Sequence, residues 1–152
     1  MDAKIVNAFL TAGMNAFQNM FGIQAQPKEA HLLDFRSGHP WDISGVLCIR
    51  GNCNGIVCFR LHKILATKML QLSGVNCKPE EFLNMEKELV MEFTNIISGN
   101  AVSELKDIYL DITPPKIITG HNHEISWSKN IPVIAIPFYT EKGSFEVDIS
   151  LY

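Results

Sequence analysis

The sequence of 152 residues lacks any uninterrupted apolar run approaching eighteen residues, so nothing in it reads as a membrane-spanning helix. It also has little excess charge: 13 basic residues against 16 acidic ones leave a formal net charge of -3, and the Lys and Arg residues are scattered. Without a basic patch there is no electrostatic footprint for nucleic acid or for an anionic lipid surface. A glycine-rich phosphate loop is missing, as is any nucleophile motif, which removes the usual grounds for expecting a small-molecule enzyme. The four cysteines, Cys48, Cys53, Cys58 and Cys77, match neither zinc-ligand spacing nor a redox C-x-x-C pair. They read as small buried thiols in a reducing compartment. Residues Met1-Asp2-Ala3-Lys4-Ile5 open an amphipathic segment rather than a basic stretch followed by an apolar block, so the expected location is the cytoplasm.

What is present is enough apolar material for one core. The chain is 47% hydrophobic and 19% charged, which excludes disorder. At this length roughly 70% of the unfolded chain's surface can be buried. No linker or low-complexity run divides it, and a single domain over 1-152 is expected.

Apolar residues Ile5, Phe9, Leu10, Gly13, Phe17 and Phe21 recur at three- and four-residue steps, predicting a helix over about 2-21 that stops at Gly22. Strand-like stretches follow at about 28-36, 42-50 and 55-61, the last two joined by the turn-rich Gly51-Asn52-Cys53-Asn54. A short helix is predicted at 62-73. A long one starts at Pro79-Glu80-Glu81, where proline suits the first helical position and carboxylates complement the helix dipole. Its apolar residues carry it to at least 97, with Leu105 marking a possible extension. Three more strands are expected at 116-120, 131-139 and 144-151. The order suggests two helix-plus-three-strand units and an α+β architecture, an antiparallel sheet of about six strands packed against helices.

Glu88, Glu92, Asn95 and Gly99 lie at i, i+4, i+7 and i+11 of the long helix, which at about 100° per residue gathers them into one stripe. The apolar residues of this helix centre about 100° around the axis, so the stripe is expected to border solvent. Asparagine and glycine are poor choices for a helix interior, glycine costing about 1 kcal/mol relative to alanine. A carboxylate that only accepts hydrogen bonds, beside an amide that donates and accepts, could grip a cation and orient a water. A glycine one turn on would let a partner's backbone come close. From spacing alone, such a stripe is first read as the solvated face of a helix, and Ser98-Gly99-Asn100 as a helix terminus.

The run Met91-Glu92-Phe93-Thr94-Asn95-Ile96-Ile97-Ser98-Gly99-Asn100 resembles the E-x-x-N-x-x-x-G-N signature of the CheX and CheC phosphatases. Met1-Asp2-Ala3-Lys4-Ile5-Val6-Asn7-Ala8-Phe9 and Ile112-Thr113-Pro114-Pro115-Lys116-Ile117-Ile118-Thr119-Gly120 are similar to the same family. The resemblance implies a CheC-like fold and acceleration of aspartyl-phosphate hydrolysis on a phosphorylated CheY-like receiver domain. In it Asn95 and Glu92 would be catalytic: Asn95 would place the attacking water, and Glu92 would dock on the receiver's lysine. Gly99 and Glu88 would be partner-binding, Glu88 being either a docking contact or an ordinary surface residue. The protein would need no cofactor of its own, since Mg²⁺ comes with the receiver, and it would form a homodimer through its sheets.

Two departures stand out. Glu88 occupies a position where the family often has Asp or Ser, and the family's later proline is represented by the nearer Pro114 or Pro115. No second E-x-x-N occurs in the first helix, and one site per chain favours the CheX branch. The rival class is a non-catalytic receiver-binding or flagellar-switch-like module, against which the intact Glu92 and Asn95 pair argues. His121 and His123 could share a metal on a strand, but no third ligand is evident and no metal site is assigned.

Overall fold

The computed structural model describes residues 1-36 and 38-152. Three α-helices cover one face of an eight-stranded antiparallel sheet. Helix α1 (Ala3–Phe21) begins at Asp2, whose carboxylate accepts from the Lys4 N–H at 2.9 Å. It ends where Gly22 takes up the left-handed conformation that releases the chain. Helix α2 is Lys63–Leu72 and α3 is Phe82–Glu104, the latter entered through one 3-10 turn at Pro79–Glu81.

The strands are β1 (Gln26–Pro27), β2 (His31–Leu32), β3 (Ile43–Gly51), β4 (Gly55–Leu61), β5 (Leu110–Ile112), β6 (Lys116–Thr119), β7 (Ile134–Thr140) and β8 (Gly143–Leu151). Hairpins β3-β4 and β7-β8 meet through β4 and β8 at the sheet's centre. The short strands are exchanged between the halves. Strands β1 and β2 precede β3 but pair with β7, whereas β5 and β6 precede β7 but pair with β3. Each half thus closes the outer edge of the other's hairpin.

This differs from the sequence expectation in three places. The stretch 28-36 forms only the two-residue strand β2, with β1 just ahead of it. Strand β5 lies in a segment that carries too few residues to show an alternation. The sheet has eight strands rather than about six, and the strand expected at 131-139 is β7, covered at its outer edge by β1 and β2.

The core lies between sheet and helices. Alternate residues of the long strands, among them Leu47, Phe59, Phe138, Phe145 and Val147, face Phe9, Phe17, Leu65, Met69, Phe93 and Ile97. Phe17 stacks on Phe145 with centroids 4.4 Å apart, and Phe138 on Phe145 at 4.6 Å. Such pairs add about 0.5 to 1.5 kcal/mol each beyond their area.

The helix-free face of the sheet is unusually polar for a buried surface. Ser44, Arg60, Glu146, Asp148 and Ser150 point that way and are all buried. Arg60 donates from Nη1 to Asp148 Oδ2 at 3.2 Å and from Nε to Ser44 Oγ at 3.3 Å. Burial, reinforced by the neighbouring Glu146, holds the Asp148 carboxyl well above the usual carboxylate range against the pull of Arg60. Burial likewise pushes the Cys58 thiol far up, so it stays protonated and inert.

Candidate functional site

The position of the stripe is set by what lies beneath it. Phe93, between Glu92 and Asn95 in sequence, is fully buried and packs against Phe17, Phe21 and Phe59 at centroid distances of 5.0, 5.4 and 5.9 Å. Thr94 is also buried, and its hydroxyl donates to the Val90 carbonyl at 2.7 Å. It lies directly over Gly45 of β3, where any Cβ would collide with the Thr94 side chain. Glycine at 45 therefore lets α3 sit low on the sheet at the level of Asn95.

The buried face of α3 comprises Glu86, Leu89, Val90, Phe93, Thr94, Ile97, Ser98 and Ala101. At 100° per residue this face is centred about 180° from the stripe. The separation expected from apolar residues alone was about 100°. The larger separation arises because Glu86, Val90, Thr94, Ser98 and Ala101 are buried, whereas Met85 and Ile96, nearer the stripe, are only half-buried. Glu86 is stabilised by Thr67, whose hydroxyl donates to its carboxylate at 2.7 Å.

Glu88, Glu92 and Asn95 are exposed and Gly99 is half-buried, all within the continuous helix, so Ser98-Gly99-Asn100 is not a terminus. Glu92 and Asn95, with Met91, line one wall of a shallow depression of about 540 Å³. Ile112, Thr113, Pro114 and Pro115 line the other. Glu88 is one turn away and does not line it. Both prolines thus line the same depression as the asparagine despite their short spacing from it in sequence.

A Cβ added at Gly99 would meet only Ile112 Cδ1, at 3.9 Å, an ordinary contact. Nothing inside the molecule requires glycine there. The arrangement offers an outward amide and carboxylate on a rigid helix, beside an apolar wall, open to a macromolecular surface. One i,i+3 step separates the two groups, placing their Cβ atoms about 5 to 6 Å apart.

Among the described residues no group of three or more His, Cys, Asp or Glu side chains is arranged to hold a metal ion. His123 instead serves structure: its Nδ1 donates to the Gly120 carbonyl at 2.9 Å and its Nε2 accepts from the Ser44 hydroxyl at 2.5 Å. Burial lowers its pKa below the ordinary histidine value. His39, which the sequence did not single out, donates from Nε2 to the His123 carbonyl at 2.6 Å and accepts the Trp41 N–H at Nδ1. No helix of the described residues is long and apolar enough to cross a membrane.

Residues 43–139 match the family described as Chemotaxis phosphatase CheX. The CheY-P phosphatase CheX of Thermotoga maritima is 21% identical over 156 residues, covering 99% of this chain and 97% of that protein. The crystal structure of the chemotaxis protein CheX from Desulfovibrio desulfuricans superposes with a TM-score of 0.86 at 32% identity, over 97% of this chain and 99% of that one. The CheX of a CheX-CheY-BeF3-Mg²⁺ complex from Borrelia burgdorferi shares the fold at a TM-score of 0.81 and 24% identity, over 96% of both chains. With more than half of its length matching the family and its E-x-x-N helix presented at the surface, the chain belongs to the CheX family of chemotaxis phosphatases.

Proposed function

We propose that this protein accelerates hydrolysis of the aspartyl phosphate on a CheY-type receiver domain. The observation that carries the reading is the placement of Asn95 and Glu92, both exposed, in one depression on a helix locked from below. A receiver presents its acyl phosphate with its own acidic residues and Mg²⁺, so the incoming protein needs neither a nucleophile nor a metal. Phosphoryl transfer asks chiefly for alignment and electrostatic stabilisation.

In this reading the Asn95 carboxamide enters beside the phosphoryl group. Its Oδ1 accepts a hydrogen bond from the attacking water, and its Nδ2 donates to a phosphoryl oxygen. The water oxygen bonds to phosphorus, the acyl oxygen–phosphorus bond breaks, and inorganic phosphate leaves the regenerated receiver aspartate. Glu92 pairs with the receiver's active-site lysine and fixes the approach.

The CheX of Borrelia burgdorferi occurs in complex with CheY, BeF3 and Mg²⁺. Beryllofluoride imitates a phosphoryl group, so that pairing has the components this reaction requires. From the family resemblance in its sequence we also infer a cytoplasmic homodimer. Incubating it with a phosphorylated receiver and Mg²⁺, and following phosphate release against the receiver alone, tests the proposal. Binding without acceleration would support a non-catalytic module instead.

A further inference from the structure

Strands β5 and β6 are one strand interrupted by a bulge. On β3, Ile49 faces Ile112 and Val46 faces Lys116. Between these pairs, Leu47 and Cys48 are opposed by three residues, Thr113, Pro114 and Pro115. Neither proline has an N–H to give to a ladder. Thr113 makes good the loss: its backbone N–H donates to the Cys48 carbonyl at 2.9 Å, and its Oγ1 accepts the Cys48 N–H at 2.9 Å.

Bulges bend a strand and re-aim what it carries. This one delivers Pro114, exposed, and Pro115, half-buried, to the depression that Glu92 and Asn95 line from the other side. Proline rings have a fixed φ and little side-chain entropy to lose, so a surface made of them can be docked at low ordering cost.

We propose that Pro114 and Pro115 form the apolar docking wall for the receiver, against the surface beside its acyl phosphate, and that Thr113 is the positioning residue that fixes this wall opposite Asn95. The inference rests on the phosphatase reading and adds a division of labour to it. Asn95 acts on the reacting water, whereas the wall sets where the receiver seats.

Thr113→Val keeps the side-chain shape and removes the acceptor for Cys48; Thr113→Ser keeps the acceptor. Titration with beryllofluoride-activated receiver should show Kd raised about tenfold in Thr113→Val and unchanged in Thr113→Ser, with KM for phosphate release following Kd and kcat little altered. Loss of folded protein alone would lower apparent kcat at constant KM, and that pattern counts against the proposal. If Thr113→Val does not fold, a Pro114→Gly, Pro115→Gly variant, which leaves Thr113 in place, should show the same rise in Kd and KM. Undiminished affinity in either folded variant, or an equal loss in Thr113→Ser, overturns the inference. If the wild-type protein binds receivers without accelerating phosphate release, the phosphatase reading fails, and the wall is judged by Kd alone.

Discussion

Replacing Gly99 with alanine separates the needs of the helix from those of a docking partner. Gly99 lies inside α3, which runs Phe82–Glu104, and a Cβ there would find only Ile112 Cδ1 at 3.9 Å. The substitution therefore introduces no internal clash and removes a helix-interior glycine, a gain of about 0.5 to 1 kcal/mol. For a chain of this size that corresponds to a rise in Tm of roughly 1 to 4 °C. The receiver should experience the opposite effect. If its backbone comes close to α3 at this point, an added methyl costs about 1 to 3 kcal/mol, as overpacking does, weakening association roughly fivefold to a hundredfold. Thermal melts of the isolated protein and titrations with beryllofluoride-activated receiver measure the two effects independently. A lowered Tm would mean that internal packing does require glycine, and undiminished affinity would mean that no partner approaches there; either result refutes the reasoning.

Other expected outcomes follow from the same structure. Glu92→Lys puts a cation where the receiver's lysine is proposed to dock, and should abolish association at micromolar receiver without changing the melting curve. Phe93→Ala removes the ring on which α3 rests and should cost about 3 to 5 kcal/mol in urea unfolding. Burial, helped by His39 and Arg60, holds the folded pKa of His123 below the ordinary value near 6.5 against the pull of the Gly120 carbonyl and Asp42. The unfolded chain therefore takes up that proton first as pH falls, so the stabilisation is complete above about pH 6.5 and is lost as pH drops through the folded value. Melting curves from pH 8 to pH 5 should show a steeper loss for the wild type than for His123→Asn; parallel curves would contradict this. For the proposed homodimer, Leu32 of edge strand β2 and nearby Phe35, 63% and 60% exposed, are assigned to the interface, and charging both to Asp should halve the mass seen by light scattering.

Much of the fold was legible because its main elements carry their own periodicity. Helix α1, the β3-β4 hairpin with its turn, α2 and the Pro79 entry to α3 all fall within a few residues of where the sequence alone puts them. The elements that escaped, β1 and β5, and the shrinking of the 28-36 strand to β2, turn on pairing with distant partners. Strands β1 and β2 exist because β7 offers an edge, and β5 because β3 does, and neither edge can be seen from the local residues. At the site, spacing found the stripe but placed the core too near it, because buried Glu86, Thr94 and Ser98 do not count as apolar. The approach of Pro114 and Pro115 to Asn95 depends on a bulge against Cys48, and the close seating of α3 depends on Gly45. Both are tertiary facts, and the only sequence trace of the first is the Thr-Pro-Pro triplet itself.

The most direct test of the central claim is phosphate release from a phosphorylated receiver in the presence of Mg²⁺, comparing wild type with Asn95→Ala. Asn95 is exposed within α3, where alanine is the better helix former, so the variant should melt no lower than the wild type. Losing a well-placed amide typically costs about 10² to 10³ in rate, which would bring release down to or near that of the receiver alone with Kd little changed. Release at the wild-type rate from folded Asn95→Ala would contradict the account.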